Sequence, residues 1–321
     1  MSYPLCFPRA LGRPGLTGRI RERPGDFQVA EELGFEPSGQ GEHVFLYVRK
    51  TNANTGWVAG ELARLAGVRA RDVSYGGRKD RHAVTEQWFS CRLPGRMEPA
   101  WTQLEPAGIE VLRSRRHVRK LRIGSHEGNR FRIRVRALRD DGAGADVAAA
   151  LAPRIEAIGR DGFPNYFGEQ RFGIDSGNLV RANELFMGKQ FARGRQGLYI
   201  SAARSYLFNR ELSRRVADGG WLDGEPEAWL RGRSRSELPA MNDPELAHWE
   251  AGLESLGVKA MRRQVRIVPG ELQYQIEADS LVVSFTLPSG SYATSLLREL
   301  VAYKDASRVE EKERTLEASS G

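Results

Sequence analysis

Cysteine is nearly missing from this sequence. Its two cysteines, Cys6 and Cys91, lie far apart in a chain of 321 residues and are too few for a disulfide framework or a cysteine-rich zinc site. Five histidines, at 43, 82, 117, 126 and 248, show no metal-ligand spacing, so no metal is assigned. No window approaches the roughly 18 uninterrupted apolar residues of a spanning helix, and the start, MSYPLCFPRALGRPG, lacks the apolar centre of a signal peptide. A cytoplasmic protein without membrane contact is expected. The patterns GxxxxGK[ST], GxGxxG, HExxH and GxSxG are also missing, which removes the usual support for nucleoside triphosphatases, Rossmann dehydrogenases, zincins and α/β-hydrolases.

What the sequence has is positive charge. Lys and Arg number 49 against 41 Asp and Glu, a formal net charge of +8. The excess is local: Arg113, Arg115, Arg116, Arg119, Lys120, Arg122, Arg130, Arg132, Arg134 and Arg136 face one carboxylate, Glu127, within 24 residues. A polyanion is the natural partner for such a run, because each cation can displace a counterion from a phosphate backbone. The competing reading is an ordinary solvated charged face.

The length suggests about two domains, and 40% hydrophobic residues suffice for real cores. Strands are legible at 27–31, 42–50, 86–93, 109–113, 129–138 and 281–287. The clearest is NRFRIRVRAL (129–138), whose alternation puts Phe131, Ile133 and Val135 on one face and arginines on the other. Helices are expected from Asn54 or Thr55 to Gly67, from Asp146 to about Gly159, and at 176–188, 205–217, 243–256 and 291–303. Texture changes near 148–164 and 263–271, so the order is mixed, then helical, then mixed again. That fits an α+β domain interrupted by an inserted helical one. Residues 305–321 read as a charged, frayed tail.

Two segments stand out. In YGGRKDRHAVTEQWFS (75–90) a double glycine permits a tight turn, and Asp80 sits between Lys79 and Arg81, cations that favour its charged form. Taken alone, such a loop is more often an exposed turn. PNYFGEQRFG (164–173) interleaves aromatics with Arg171, a combination that can stack bases, although Tyr166, Phe167 and Phe172 read more simply as core.

Together these segments resemble the TruD family of tRNA pseudouridine synthases. The likeness runs in order through RPGDFQVAEE (23–32), GEHVFLYVRKTNANT (41–55), GGRKDRHAVTEQWFS (76–90), RKLRIGSHEGNRFRI (119–133), PNYFGEQRFG (164–173), SAARSYLFNRELSRR (201–215) and FTLPSGSYATSLLREL (285–300). It implies a pseudouridine-synthase catalytic domain on a mixed, mainly antiparallel sheet, formed by residues 1–155 and 268–321, with a mostly helical TruD-specific domain inserted at 156–267. It also implies isomerisation of uridine to pseudouridine in tRNA, at position thirteen. In the family's KD[RK]xAxTxQ pattern the catalytic aspartate matches Asp80. Phe27, Asn129, Phe131 and Tyr292 match positions around the target nucleotide. Arg21 stands where the family has a lysine beside the aspartate, and it and Lys79 are the expected cations next to Asp80.

Substrate and product of that reaction are isomers, so no cofactor is expected. The target uridine must leave its stack to reach Asp80, at a cost of a few kcal/mol. Phosphate contacts from Arg113, Arg115, Arg116, Arg119, Lys120 and Arg122 would offset this. tRNA is the expected partner of a monomer that needs no other protein. Two rivals remain: a catalytically silent RNA-binding or tRNA-chaperone protein of the same fold, and a metal-dependent nuclease with Asp80, Asp26 and Glu31 as ligands.

Overall fold

A computed structural model of the chain describes residues 3–141, 146–234, 238–239 and 243–308. They form two compact units. The first contains the described residues of Gly15–Ala149, Pro269–Gly290 and Tyr303–Gly321; the second those of Met1–Pro14, Ala150–Val268 and Ser291–Ala302. The expected boundaries near 155 and 268 are close to two of these, but residues 3–14 and 291–302 group with the helical unit.

In the strand-rich unit the sheet is built from β1 (Leu16–Ile20), β2 (Phe27–Glu32), β3 (His43–Thr51), β4 (Val73–Tyr75), β5 (Val84–Arg92), β6 (Ile109–His117) and β7 (Gly128–Asp140). The strands Gly270–Glu277, Ser280–Pro288 and Ala302–Asp305 complete it. Its main path runs Gly270–Glu277, Ser280–Pro288, β7, β2, β5, β3, β6, with β1 joining β7 to the Ala302–Asp305 strand and β4 lying on β5. Only β2 and β5 run parallel; the other ladders along this path are antiparallel. The mixed, mainly antiparallel α+β expectation matches this sheet.

Alternation dictates which side is buried. Phe131, Ile133 and Val135 of β7 are buried as expected, and the register Phe27↔Ile133, Val29↔Phe131, Glu31↔Asn129 sets β2 beside them with its buried face continuous with theirs. The arginine face is largely paired: Arg130 with Glu32, Arg134 with Glu277 and Arg136 with Asp26.

The helix Thr55–Leu65 lays Val58 and Leu62, both fully buried, on Val44, Leu46 and Phe89, each side chain contributing about 2 kcal/mol. Neither expected capping side chain serves at its start. Asn54 makes no side-chain cap bond, and the Thr55 hydroxyl donates instead to Gln87 Oε1 at 2.9 Å. Asp146 does cap its helix, accepting from the Ala149 amide at 3.2 Å.

The helical unit packs Gly177–Phe186, Arg193–Ala217 and Ala247–Ser255 around Phe208, Leu212, Phe172 and Trp249. Tyr166 and Phe167 are buried there too, so the core reading of PNYFGEQRFG holds. No helix among the described residues is long and apolar enough to cross a membrane. Of the expected frayed tail, Asp305 instead ends a strand, and positions 309–321 lie outside the described residues.

Candidate active site

Asp80 lies on the loop between β4 and β5. Its carboxylate Oδ2 accepts from Arg21 Nη2 at 2.7 Å. The other guanidinium nitrogen, Nη1, reaches Asp305 Oδ2 at 2.5 Å. Arg21 follows the end of β1 with φ +58, in the left-handed region, a backbone state that costs a non-glycine residue on the order of 1 kcal/mol. That turn sends the side chain inward, where it is 2% exposed, and its Cζ lies 3.8 Å above the centre of the Phe27 ring. Burial opposes the charge, but Asp80 and Asp305 outweigh it and raise the Arg21 pKa above its ordinary value. The Asp80 side chain is 31% exposed: fixed on one side and reachable on the other.

Lys79 does not serve Asp80. Its ammonium bonds Glu31 Oε2 at 2.9 Å and donates to Asn129 Oδ1. The register places Glu31 and Asn129 opposite each other on β2 and β7, so one buried ammonium meets both. Glu31 Oε1 also accepts from the Trp88 amide at 3.2 Å. With its carbonyl engaged, Asn129 has the two N–H groups of its amide to offer. Phe131 lies 5.4 Å from Phe285, nearly parallel, and meets Phe27 edge-on at 6.4 Å. It is 7% exposed, so most of its ring is core, and little of it can face a substrate.

Three further bonds fix the loop. The Lys79 amide donates to Thr55 Oγ1 at 3.0 Å, and Gln87 Nε2 donates to the Gly77 carbonyl at 3.1 Å. Lys50, fully buried, donates to the carbonyls of Asp80 at 2.9 Å and Ala53 at 2.7 Å. Burial lowers the Lys50 pKa to about 8, against the opposing pull of Asp80. From sequence, Lys50, Gln87 and Asp305 have no site role and Thr55 only that of a helix cap; a lysine at an inward strand position is the one further signal among them.

The structure thus brings Arg21, Phe27, Lys79, Asp80, Asn129 and Phe131 into one bonded and packed group. Tyr292 belongs to the helical unit, where its ring meets Phe167 at 5.7 Å and precedes the helix Ala293–Leu300. The basic run divides. Arg113 and Arg115 share Glu36, and Arg116 donates to the main-chain carbonyls of Gly41, Leu93 and Arg96. Arg119, Lys120 and Arg122 are exposed. Of the three carboxylates of the nuclease reading, each has its own cation: Asp80 has Arg21, Asp26 has Arg136 and Glu31 has Lys79. Among the described residues no three His, Cys, Asp or Glu gather as a metal site would require.

A family model described as tRNA pseudouridine synthase D (TruD) matches residues 8–195 and 235–300. The tRNA pseudouridine synthase D of Cellvibrio japonicus is 46% identical over 94% of each chain, and that of Methylococcus capsulatus is 43% identical over 92% of this chain and 94% of its own. A crystal structure described as the tRNA pseudouridine synthase D of Methanosarcina mazei shares the fold, with a TM-score of 0.63 at 18% identity, covering 92% of this chain and 95% of its own. A shared motif set, a shared fold and close relatives along nearly the whole length leave one assignment: this chain belongs to the TruD family of tRNA pseudouridine synthases.

Proposed function

We propose that this protein isomerises a uridine of tRNA, at position 13, to pseudouridine, with Asp80 as the catalytic carboxylate. The observation that carries this reading is the state of Asp80: one oxygen is anchored on a buried guanidinium while the carboxylate keeps access from outside. A group that must meet a ribose needs both.

The reaction breaks the bond from C1′ to uracil N1 and makes one from C1′ to C5. N1 gains a proton and the hydrogen on C5 is lost to water. Asp80 acts on the sugar, either attacking C1′ or taking a proton from C2′. Arg21 positions that carboxylate and keeps a positive charge beside it. Asn129, its carbonyl held by Lys79, offers its N–H groups to the uracil, Phe27, 2% exposed, supports the Arg21 guanidinium rather than meeting the nucleotide, and Tyr292 keeps the substrate-contacting role that the family resemblance gives it. Of the cations of the 113–122 segment, the exposed Arg119, Lys120 and Arg122 bind phosphates, since Arg113, Arg115 and Arg116 are engaged within the chain. The protein acts in the cytoplasm, as a monomer, with tRNA as its partner.

Release of tritium from tRNA carrying [5-³H]uridine tests this directly. The wild-type chain releases tritium, Asp80→Ala binds tRNA and releases none, and a chelator changes nothing. A wild-type chain that binds tRNA without release would establish the silent RNA-binding reading instead.

A further inference from the structure

A pocket of the strand-rich unit lies where β3 begins and β6 ends. It holds about 680 Å³ and is floored by the rings of Phe45, His43 and His117, with Phe35 as one wall and Arg119, Lys120 and Arg122 along the rim. The rings form a continuous aromatic surface: His117 lies 4.8 Å from Phe45 and 5.4 Å from Phe35. Phe35 is 44% exposed and Val118 52%, so apolar surface remains uncovered beside three exposed cations. No carboxylate lines the pocket. Arg119 and Arg122 carry no ion-pair partner among the described residues, and Lys120 spends one of its three donors on the Arg71 carbonyl at 2.9 Å.

Apolar rings next to unpaired cations, with acid excluded, match the two halves of a nucleotide. A flat base has a π-face to stack, and its phosphate needs positive charge. A lipid or an acidic peptide would use the rim but not the stacked floor. The histidines add to the stacking surface. His117 Nδ1 accepts from the Ser38 amide at 3.1 Å, and burial followed by the nearby Arg119 charge lowers its pKa. His43 is lowered too, by burial and then by Arg92 and Lys120. Both shifts favour the uncharged ring.

We infer that this pocket receives a second nucleotide of the RNA substrate, its base stacked on Phe35 and His117 and its phosphate on Arg119 and Arg122. The inference rests on the tRNA reading above. It also supplies a structural link to the reaction. The segment that carries Arg119, Lys120 and Arg122 runs on to Gly124, whose amide donates to the Gly76 carbonyl at 2.7 Å, on the loop that bears Asp80. Ser74 of β4 likewise donates to the Leu121 carbonyl at 2.8 Å. The pocket and the catalytic loop thus share one hydrogen-bonded segment.

The test is equilibrium binding of the full chain to unmodified tRNA transcript over a series of salt concentrations, with tritium release measured in parallel. Phe35→Ala should weaken binding about tenfold at every salt concentration, and Phe35→Trp should restore it, because stacking carries no charge. Arg122→Gln should instead lower the slope of log affinity against log salt by about one. Phe35→Ala and Phe35→Trp that both bind like wild type, in a chain that still isomerises tRNA, would overturn the pocket and leave the enzyme reading intact. A Phe35→Ala effect that vanishes at high salt would show only a disturbed rim and would also overturn it. A wild-type chain that neither binds nor isomerises tRNA removes the enzyme reading, and this site with it.

Discussion

Arg21 Nη2 stands 2.7 Å from Asp80 Oδ2, while the same guanidinium holds Asp305. Planarity makes this possible: a guanidinium presents donors on two edges at once, which an ammonium cannot do with the same fixed angles. Replacing Arg21 by lysine keeps the charge but must loosen one of the two carboxylates. Arg21→Lys is expected to lower the single-turnover rate of tritium release about tenfold, and Arg21→Met about a hundredfold, with tRNA affinity within a few-fold of wild type. A lysine variant as fast as wild type would show that charge alone, without the fork, is what Asp80 uses, and equal rates for lysine and methionine would show that charge without the fork does nothing for it.

Lys50 gives a pH signature. Its pKa in the folded chain is about 8, below the ordinary lysine value of 10.5, because burial penalises the ammonium. Between those two values the unfolded chain binds more protons than the folded one, so this residue makes stability rise with pH across that window. The expected gain from pH 7 to pH 9.5 is about 2 kcal/mol. A neutral amine still has two N–H groups for the two carbonyls that Lys50 bonds, so the Asp80 loop should stay in place. Urea denaturation at the two pH values checks this, with Lys50→Met as the reference chain that lacks the rise.

How much of this could be read in advance depends on the distance over which each feature is encoded. The alternation of residues 129–138 marked a strand with one buried face, and the motif around Asp80 marked the loop, because both signals are local. The partner of Asp80 was harder to see. Of the two expected cations, neighbouring Lys79 sends its side chain in another direction, to Glu31 and Asn129, and Arg21, 59 residues away and marked only by the family resemblance, is the one that reaches Asp80. Asp305 was hidden for the same reason, being 284 residues from Arg21. The helix Arg193–Ala217 starts before the expected Ser205, since Gly194 and Gly197 mask a start that tertiary packing supports. The basic run was visible, but strand register decides which of its cations are spent on Glu36, Glu32 or Asp26.

The Lys79–Glu31 pair is closed off from water, with side chains 8% and 0% exposed. Removing one partner leaves the other charge buried and uncompensated. Glu31→Gln and Lys79→Met are each expected to cost about 3 kcal/mol, and the double variant much less than their sum, for a coupling of at least about 2 kcal/mol. A double-mutant cycle by urea denaturation measures it. Additive costs would mean that the two residues stabilise the chain through separate contacts.

Arg116 and Arg119 are three positions apart in the same basic run and should fail in opposite ways. Arg116 donates to three main-chain carbonyls, those of Gly41, Leu93 and Arg96, and so ties the end of β6 to two neighbouring segments. Its replacement by glutamine leaves those carbonyls short of donors, which should lower stability by about 2 kcal/mol. Because its N–H groups are already engaged, Arg116→Gln should leave the salt dependence of tRNA binding nearly unchanged. Arg119 is exposed on the rim of the aromatic pocket, so Arg119→Gln should leave the melting temperature within a degree or so and reduce the salt slope by about one phosphate contact. Thermal unfolding and salt-dependent binding, measured on both variants, separate a cation that holds the fold from one that holds RNA; the reverse pattern would show that the hydrogen bonds of Arg116 give way to phosphate when RNA arrives.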